Sequence, residues 1–276
     1  MPDTSLTHAR WKARLALGFD RRGERTVLAS REHDGPLVVQ KPLHPEGPEV
    51  CHAIVLHPPA GIAGGDELVI KVHAGEGAQA LVTTPGAAKW YRSGGARAAS
   101  RTSIVAERDA GIEWLPQETI VFDGARADIE WEAHLASGAK LIAWDIVRLG
   151  RTASGERFGS GDLRTTARIW RGAHLVWIER ARIEPASTAA GSPAALGGEP
   201  VYGTFFCTAE EIDMQSLRQT RPAQGDGAVT RLPGLVVARY RGASTEAVRD
   251  WFAAMWSLLR PAVMGRVAMP PRIWST

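Results

Sequence analysis

Residues 126–151, RADIEWEAHLASGAKLIAWDIVRLGR, alternate apolar and polar side chains with a period of two. The first half places Ile129, Trp131, Ala133 and Leu135 on one face and Glu130, Glu132 and His134 on the other. This alternation is typical of a β-strand that buries one face and leaves the other in water. The small residues SGA at 137–139 then predict a turn into a second strand, Lys140–Arg148, and so a hairpin.

The same pattern recurs along most of the chain. Residues 163–185, LRTTARIWRGAHLVWIERARIEP, repeat it with RGA as the turn, and short strand-like runs lie upstream in 50–59, 66–86 and 101–117. Turns every ten to fifteen residues, with 29 glycines and 17 prolines, leave little room for long helices. The sequence therefore predicts a mainly β fold of stacked antiparallel hairpins with a β-helix-like body. No exact sequence repeat marks a strict solenoid or propeller.

One segment has helical rather than strand periodicity. Residues 244–261, STEAVRDWFAAMWSLLRP, place large apolar side chains three and four positions apart. Ser244 or Thr245 can cap the start, and Pro261 is expected to end the helix. We expect one or two short α-helices near the C-terminus. The aromatic face of this helix either packs on the core or contacts a partner.

Residues 185–200, PASTAAGSPAALGGEP, are small and without periodicity, which predicts a flexible loop. Strand-like sequence resumes directly after this loop. We therefore expect the loop to be an insertion within one domain that spans 1–276, a length that can bury a substantial core.

Composition narrows the class of protein. A formal net charge of +3 over 276 residues gives no dense basic patch, so no nucleic-acid partner is expected. No apolar run approaches the roughly 20 residues of a membrane-spanning helix, and charges interrupt the N-terminus where a signal peptide would be apolar. Two isolated cysteines form no disulfide framework. These features predict a soluble cytoplasmic protein without a membrane partner.

Familiar catalytic and metal-binding signatures are missing. The chain has no GxxxxGK[ST] phosphate loop, no GxSxG elbow and no HExxH motif. His44, Cys51, His52 and His57 lie close in sequence, but a strand over 50–57 would place Cys51 and His57 about 20 Å apart on one face and His52 on the other. Their local spacing therefore does not let two of them bind one metal ion. Scattered strand histidines are the simpler interpretation, and a transient thiol or imidazole contact with a passing metal ion is the alternative.

Two carboxylates occupy positions where the alternation predicts apolar side chains. Asp145 shares a face with Leu141, Ala143 and Val147, and Glu179 shares one with Leu175, Trp177, Ala181 and Ile183. Burying an unpaired carboxylate costs several kcal/mol. Each is therefore either in an ion pair with an arginine or in the lining of an internal, water-filled passage.

The run 54–93, IVLHPPAGIAGGDELVIKVHAGEGAQALVTTPGAAKWYRS, is the most distinctive part of the chain. It resembles the urease accessory protein D family. The motif residues are His57, Pro58, Pro59, Gly64, Gly65 and Asp66, then Thr83, Thr84, Pro85, Gly86, Lys89, Trp90, Tyr91, Arg92 and Ser93. The segments 113–125, 148–158 and 271–276 are similar to later family blocks, so the likeness spans essentially the whole chain. Ala60 stands where the family usually has glycine, a departure that we expect to be harmless.

The resemblance implies a largely β, helix-poor body that is not an enzyme. Proteins of this family act as scaffolds for nickel insertion into urease, and they bridge apo-urease to a helical accessory protein F and, through it, to a GTPase, accessory protein G. No tightly bound cofactor is implied, only transient nickel in an internal polar passage. Candidate passage residues are Asp66, Thr83, Thr84, Asp145 and Glu179. Candidate partner contacts are Trp251, Trp256, Arg272 and Trp274.

Two other classes of function stay open on the residues alone. A β-rich hydrolase or isomerase would use Asp66 or Glu179 as a general acid or base. A plain carbohydrate- or protein-binding β module would bind its ligand without any effect on nickel. Within "HPPAGIAGGD", residues 57–66, the prolines fix φ and the glycines permit tight turns, so this segment is expected to be a rigid connection first.

Overall fold

The computed structural model describes residues 10–209 and 212–275. Most of these residues lie in strands. In chain order the strands are β1 Lys12–Arg22, β2 Arg25–Asp34, β3 Val38–Val39, β4 Val50–Leu56, β5 Glu67–Ala74, β6 Gln79–Thr83, β7 Ala88–Trp90, β8 Ala98–Ala106, β9 Gly111–Leu115, β10 Thr119–Val121, β11 Arg126–Leu135, β12 Lys140–Leu149, β13 Asp162–Arg171, β14 His174–Ile183, β15 Val201–Thr208, β16 Asp226–Leu232 and β17 Leu235–Gly242.

The helices lie mainly in the last third of the chain. They are α1 Thr188–Gly191, α2 Met214–Gln219 and α3 Thr245–Met264, with 3₁₀ turns at Thr152–Ser154 and Arg272–Ser275. Within the described residues, no helix is both long enough and apolar enough to cross a bilayer.

The strands form two sheets that stack face to face. One has seven strands in the order β14-β13-β11-β8-β5-β1-β2, and the other follows the order β16-β17-β15-β12-β9-β6-β4-β3, with β7 and β10 attached beside β12. From β4 to β13 the longer strands alternate between the sheets, and their neighbours pair in parallel. Each pass of the chain through both sheets is one coil of a stack. The mainly β, β-helix-like architecture is therefore confirmed.

The prediction of a hairpin over 126–148 is wrong. β11 pairs in parallel with β8 and β13, whereas β12 pairs with β9 in the opposite sheet. The turn at 136–139 therefore carries the chain from one sheet to the other. The hairpin expected over 163–185 does form, because β13 and β14 pair antiparallel. Antiparallel pairs occur toward the ends of the sheets, and the middle of the stack is parallel.

The core has two layers, one on each side of the second sheet. One layer lies between the sheets and is formed by inward-facing side chains of both, among them Leu15 and Ile104 of the first sheet and Ala80 and Leu141 of the second. The other face of the second sheet is covered by α3 through Phe252, Trp256 and their neighbours. β12 is buried on both faces because it lies between these layers.

Helix α3 begins as expected and ends later than expected. The Ser244 side chain accepts a hydrogen bond from the Ala247 N–H at 3.1 Å, which confirms the cap. Pro261 does not end the helix but lies within its last turn, and the helix runs for 20 residues to Met264, so it is not short. Gly265, with φ of 71°, ends it in the left-handed conformation that glycine adopts at low cost.

Residues 185–200 adopt turns around α1. The guanidinium of Arg241 donates to the Pro193 carbonyl and, at 3.0 Å, to the Ala195 carbonyl. The flexibility of this loop and the single-domain boundary 1–276 stay predictions.

Candidate functional site: the cavity between the sheets

A cavity of about 550 Å³ lies between the two sheets. Its walls are mostly apolar and include four indole rings, Trp90, Trp114, Trp131 and Trp144. Its polar lining includes His57, Thr84, Lys89, Gln117 and Asp145. The family motif therefore borders one part of the cavity, and the in-strand carboxylate Asp145 borders another.

The motif segment 57–66 forms the tight connection that the sequence predicted. The Ala60 N–H donates to the His57 carbonyl at 2.9 Å, and Ala60 has φ of 59°. A residue with a Cβ is strained in this left-handed region, so glycine would fit the position better than alanine. Asp66 is buried and accepts from the Trp11 N–H at 2.9 Å and the Ala63 N–H at 2.8 Å. Asp66 therefore stabilises the turn with one carboxylate oxygen and joins it to the residue before β1 with the other.

The other motif residues divide between the cavity wall and its supports. His57, Pro58, Pro85, Gly86 and Lys89 line the cavity, while Pro59, Gly64 and Gly65 belong to the turn beside it. The Tyr91 ring packs against Gly61, which has no room for a Cβ, and contacts Phe122 edge to face at 5.1 Å. Arg92 pairs with Asp123, and the Ser93 hydroxyl donates to the Ala96 carbonyl.

His57 is the motif residue with an unused polar atom in the wall of the cavity. Its Nε2 is buried and has no hydrogen-bond partner. Burial lowers the pKa of His57, partly opposed by the negative charge of Asp66. The imidazole is therefore held toward its neutral form, in which an unprotonated ring nitrogen can accept a hydrogen bond or contact a cation.

Asp145 is the carboxylate in the cavity lining. It lies on β12, lines the cavity and is partly buried. Burial and, to a smaller extent, the negative charge of Glu179 raise the pKa of Asp145 to about 6, partly opposed by a hydrogen bond from the Ile146 backbone N–H. In the described part of the chain Asp145 forms no ion pair. The passage interpretation thus fits its position better than the ion-pair interpretation.

Glu179 faces Asp145 from the opposite sheet but has a cationic partner. The Arg239 guanidinium lies 3.1 Å from a Glu179 carboxylate oxygen and 5.3 Å from the centre of the Trp177 ring. The Arg239 side chain is 55% exposed. Polar groups therefore continue from Asp145 in the cavity to Arg239 at the solvent edge of the inter-sheet layer.

Three buried polar atoms around this layer lack partners. They are Nε1 of Trp131, Nε1 of Trp177 and the hydroxyl of Tyr202. Thr165 lies near the Tyr202 hydroxyl without hydrogen-bond geometry, and burial together with the charge of Asp145 raises the pKa of Tyr202. Buried polar atoms are nearly always satisfied by protein or water. This part of the inter-sheet layer is thus suited to hold water or a hydrated ligand.

Thr83 and Thr84 point to opposite faces of the second sheet. Thr84 lines the cavity and accepts from the Gln117 N–H at 2.9 Å. Thr83 is not in the lining: its hydroxyl donates to the Leu115 carbonyl at 2.6 Å and accepts from the Trp274 indole at 2.8 Å. Asp66 is also outside the lining. Among the five passage candidates, Thr84 and Asp145 line the cavity and Glu179 interacts with Asp145. The passage role of all five stays a prediction.

A second polar cluster, which sequence reasoning missed, lies under α3 on the other face of the second sheet. Arg260, fully buried, contacts both Glu113 oxygens at 2.8–3.1 Å and the Glu46 carboxylate at 2.5–2.8 Å. His52 contacts Glu46 at 2.5 Å, and the Trp256 indole donates to Glu113 at 2.6 Å. An arginine on the apolar face of α3 was the signal that could have found this cluster.

Two of the four candidate partner-contact residues are not accessible to a partner protein. Trp251 and Trp256 are 2% and 0% exposed because they fill the layer between α3 and the second sheet. Their assignment as contact residues is therefore corrected to core packing. Arg272 is exposed, and Trp274 is half-buried against Trp144 and Trp256.

The candidate metal ligands near 44–57 are separated, as the alternation predicted. Cys51 packs in the inter-sheet core, where burial raises the pKa of its thiol to about 11, while His52 lies on the helix side with Glu46. His44 contacts the Thr26 carbonyl at 2.8 Å. Across residues 10–209 and 212–275, no group of three or more His, Cys, Asp or Glu side chains is placed to hold a metal ion.

Fold and site together define a class: a β-solenoid-like protein with an internal cavity and a helix-covered outer face. Comparison with known proteins gives the family. The family model described as "UreD urease accessory protein" matches residues 12–275, so the chain belongs to the UreD urease accessory protein family. This result confirms the resemblance seen in the motif.

Close relatives cover nearly the whole chain. The protein named "Urease accessory protein UreD" from Azoarcus sp. (strain BH72) is 50% identical over 269 residues, 96% of this chain and 94% of the relative. The protein of the same name from Nitrosococcus oceani is 48% identical over 275 residues, 99% and 93% of the two chains. That from Pseudomonas aeruginosa (strain PAO1) is 48% identical over 279 residues, 100% and 99% of the two chains.

Proposed function

We propose that this protein is a cytoplasmic urease maturation factor that acts in nickel insertion into apo-urease. It works as a non-enzymatic scaffold that bridges apo-urease to the helical accessory protein F and, through it, to the GTPase accessory protein G. Membership of the UreD urease accessory protein family over residues 12–275 is the observation that carries the proposal.

We further propose that Ni²⁺ moves through the protein as cargo rather than as a resident cofactor. The cavity, with Thr84 and Asp145 in its lining and Glu179 beyond it, supports this proposal. Oxygen ligands bind Ni²⁺ less tightly than a closed set of cysteine and histidine ligands would. Weak sites suit a metal ion that must be released again.

The enzyme alternative has less support from the geometry. Asp66 accepts hydrogen bonds from the backbone N–H groups of Trp11 and Ala63, and Glu179 is paired with Arg239. A general acid or base needs an oxygen within reach of a substrate proton. Both carboxylates that the enzyme alternative would use as a general acid or base are therefore already bound to protein partners.

Deletion of the gene, followed by complementation, tests the proposal. We expect the deletion strain to accumulate urease with little nickel and little activity, and the wild-type gene to restore both. Asp145→Ala and Glu179→Ala should leave the complex with urease and the accessory proteins intact and lower the nickel content of urease. Glu76→Ala, an exposed carboxylate paired with Arg108, is the matched control and should restore activation fully.

The two parts of the proposal fail separately. Fully metallated urease in the deletion strain would overturn the maturation role. Normal activation by both carboxylate variants, with complexes formed, would overturn the passage and leave the scaffold role in place.

A further inference from the structure

Strand β14, His174–Ile183, ends the seven-stranded sheet. It pairs with β13 on one side, and no described strand pairs with its other edge. Helix α1 contacts the strand, yet Leu175, Val176 and Ile178 remain 41%, 38% and 44% exposed. Exposed apolar edge strands invite pairing with another chain unless they are protected.

A β-bulge concentrates the apolar side chains on the outer face. The register shifts between Ile169 and Trp170, so that Trp170 is opposite Leu175. Directly opposed residues point to the same face of a sheet, so Leu175 points to the outer face together with Trp170. The sequence had predicted instead that Leu175 shares a face with Trp177 and Glu179. Trp170 stacks on His134 with ring centres 5.9 Å apart. We call Trp170, Leu175, Val176 and Ile178 the β14 edge patch.

The charge next to this patch is positive. Arg180 follows on the outer face of β14 and has no carboxylate within ion-pair distance in the described part of the chain. The one acidic residue of β14, Glu179, points to the inter-sheet layer and pairs with Arg239. The Arg182 guanidinium already forms ion pairs with Asp162 and Glu184. The open edge of β14 thus presents the apolar patch and, next to it, the guanidinium of Arg180.

We propose that the β14 edge patch binds an extended segment of a partner protein in which apolar side chains at two alternate positions are followed, on the same face of the strand, by an acidic one. The segment adds an eighth strand to this sheet. Its backbone pairs with the open edge of β14, its apolar side chains pack beside Val176 and Ile178, and a carboxylate pairs with Arg180. A second copy of this chain fits less well, because it would bring its own arginines to the same edge. The proposal does not depend on the role in urease maturation.

Two model peptides test this on the purified full chain. They are a ten-residue peptide with valine at positions 3 and 5, glutamate at position 7 and threonine elsewhere, and a matched peptide with lysine at position 7. We expect the glutamate peptide to bind at least about tenfold more tightly by fluorescence anisotropy and to slow amide hydrogen exchange across 174–180. Ile178→Lys should weaken binding by at least about tenfold, and Arg180→Glu should reverse the preference between the peptides. Leu43→Lys, at a 48% exposed leucine in the loop between β3 and β4, should bind as wild type.

Equal affinity for both peptides, or protection outside β14, would overturn the proposal. So would protection of 174–180 that rises with protein concentration in the absence of peptide, since the occupant would then be a second copy. Circular dichroism of each variant separates lost binding from lost folding.

Discussion

The buried position of the Asp145 carboxylate destabilises the folded protein when the carboxylate is charged. Asp145 lies in the inter-sheet layer opposite Glu179, and burial raises its pKa to about 6 from the 3.8 of an unperturbed aspartate. Between about pH 4 and 6 the folded state therefore binds more protons at this position than the unfolded state does, and stability falls as the pH rises through this window. Proteins often carry such costs at functional residues.

We expect Asp145→Asn to stabilise the protein at pH 8 and not at pH 4. The raised pKa of about 6 sets an upper bound of about 3 kcal/mol on the gain above pH 6, since one pH unit corresponds to about 1.4 kcal/mol. Urea unfolding of wild type and variant at pH 4 and pH 8 measures the difference. Asp20→Asn, at an exposed aspartate of β1, is the control and should change neither value. An equal effect of Asp145→Asn at both pH values would contradict the assignment.

At the scale of elements, α3 is held to the second sheet by an apolar face and one buried cation. Arg260 joins the helix to Glu113 of β9 and to Glu46 in the loop before β4, and it donates to the Val267 carbonyl at 2.5 Å. Burial opposes the charge on Glu46, but hydrogen bonds from His52 and Arg260 outweigh it and lower the pKa of Glu46 to about 2. The cluster therefore keeps its charges at neutral pH.

Arg260→Met should destabilise the protein by about 3–5 kcal/mol, because it leaves two buried carboxylates without their cation. The matched control is Arg249→Met in the same helix. Arg249 is 35% exposed, lies 3.6 Å from Glu118 and donates to the Gln117 side chain at 3.0 Å, so its loss should cost only about 1 kcal/mol. Chemical denaturation at pH 7 measures both variants. Similar losses in the two would mean that the buried cluster contributes no more than a surface pair.

The alternation of side chains predicted where strands lie but not which strands pair. SGA at 137–139 and RGA at 171–173 look alike, yet only the second closes a hairpin. The difference is visible in β12, which is apolar on both faces and so must lie between two layers. Asp145 was found because it interrupts that pattern. Arg239 was missed because its pairing with Glu179 joins strands far apart in sequence.

At the scale of the whole molecule, the C-terminal turn packs back on the middle of the stack. The Trp274 ring lies 5.4 Å from Trp144 of β12 and 5.7 Å from Trp256 of α3, and its indole donates to Thr83 at the end of β6. One residue near the end of the chain thus contacts two strands and the helix. Trp274 has a structural role here, whereas the neighbouring Arg272 is exposed.

Trp274→Ala should therefore lower the free energy of unfolding by about 2 kcal/mol, through lost aromatic packing and the lost hydrogen bond from the indole to the Thr83 hydroxyl. Arg272→Ala, two residues away, is the control and should leave the unfolding midpoint unchanged. Denaturant titration followed by tryptophan fluorescence measures both, with circular dichroism as an independent probe because a fluorophore is removed. Unchanged stability in Trp274→Ala would show that the C-terminal turn contributes nothing to the stack, and the partner-contact prediction for Trp274 would then be preferred to the structural role.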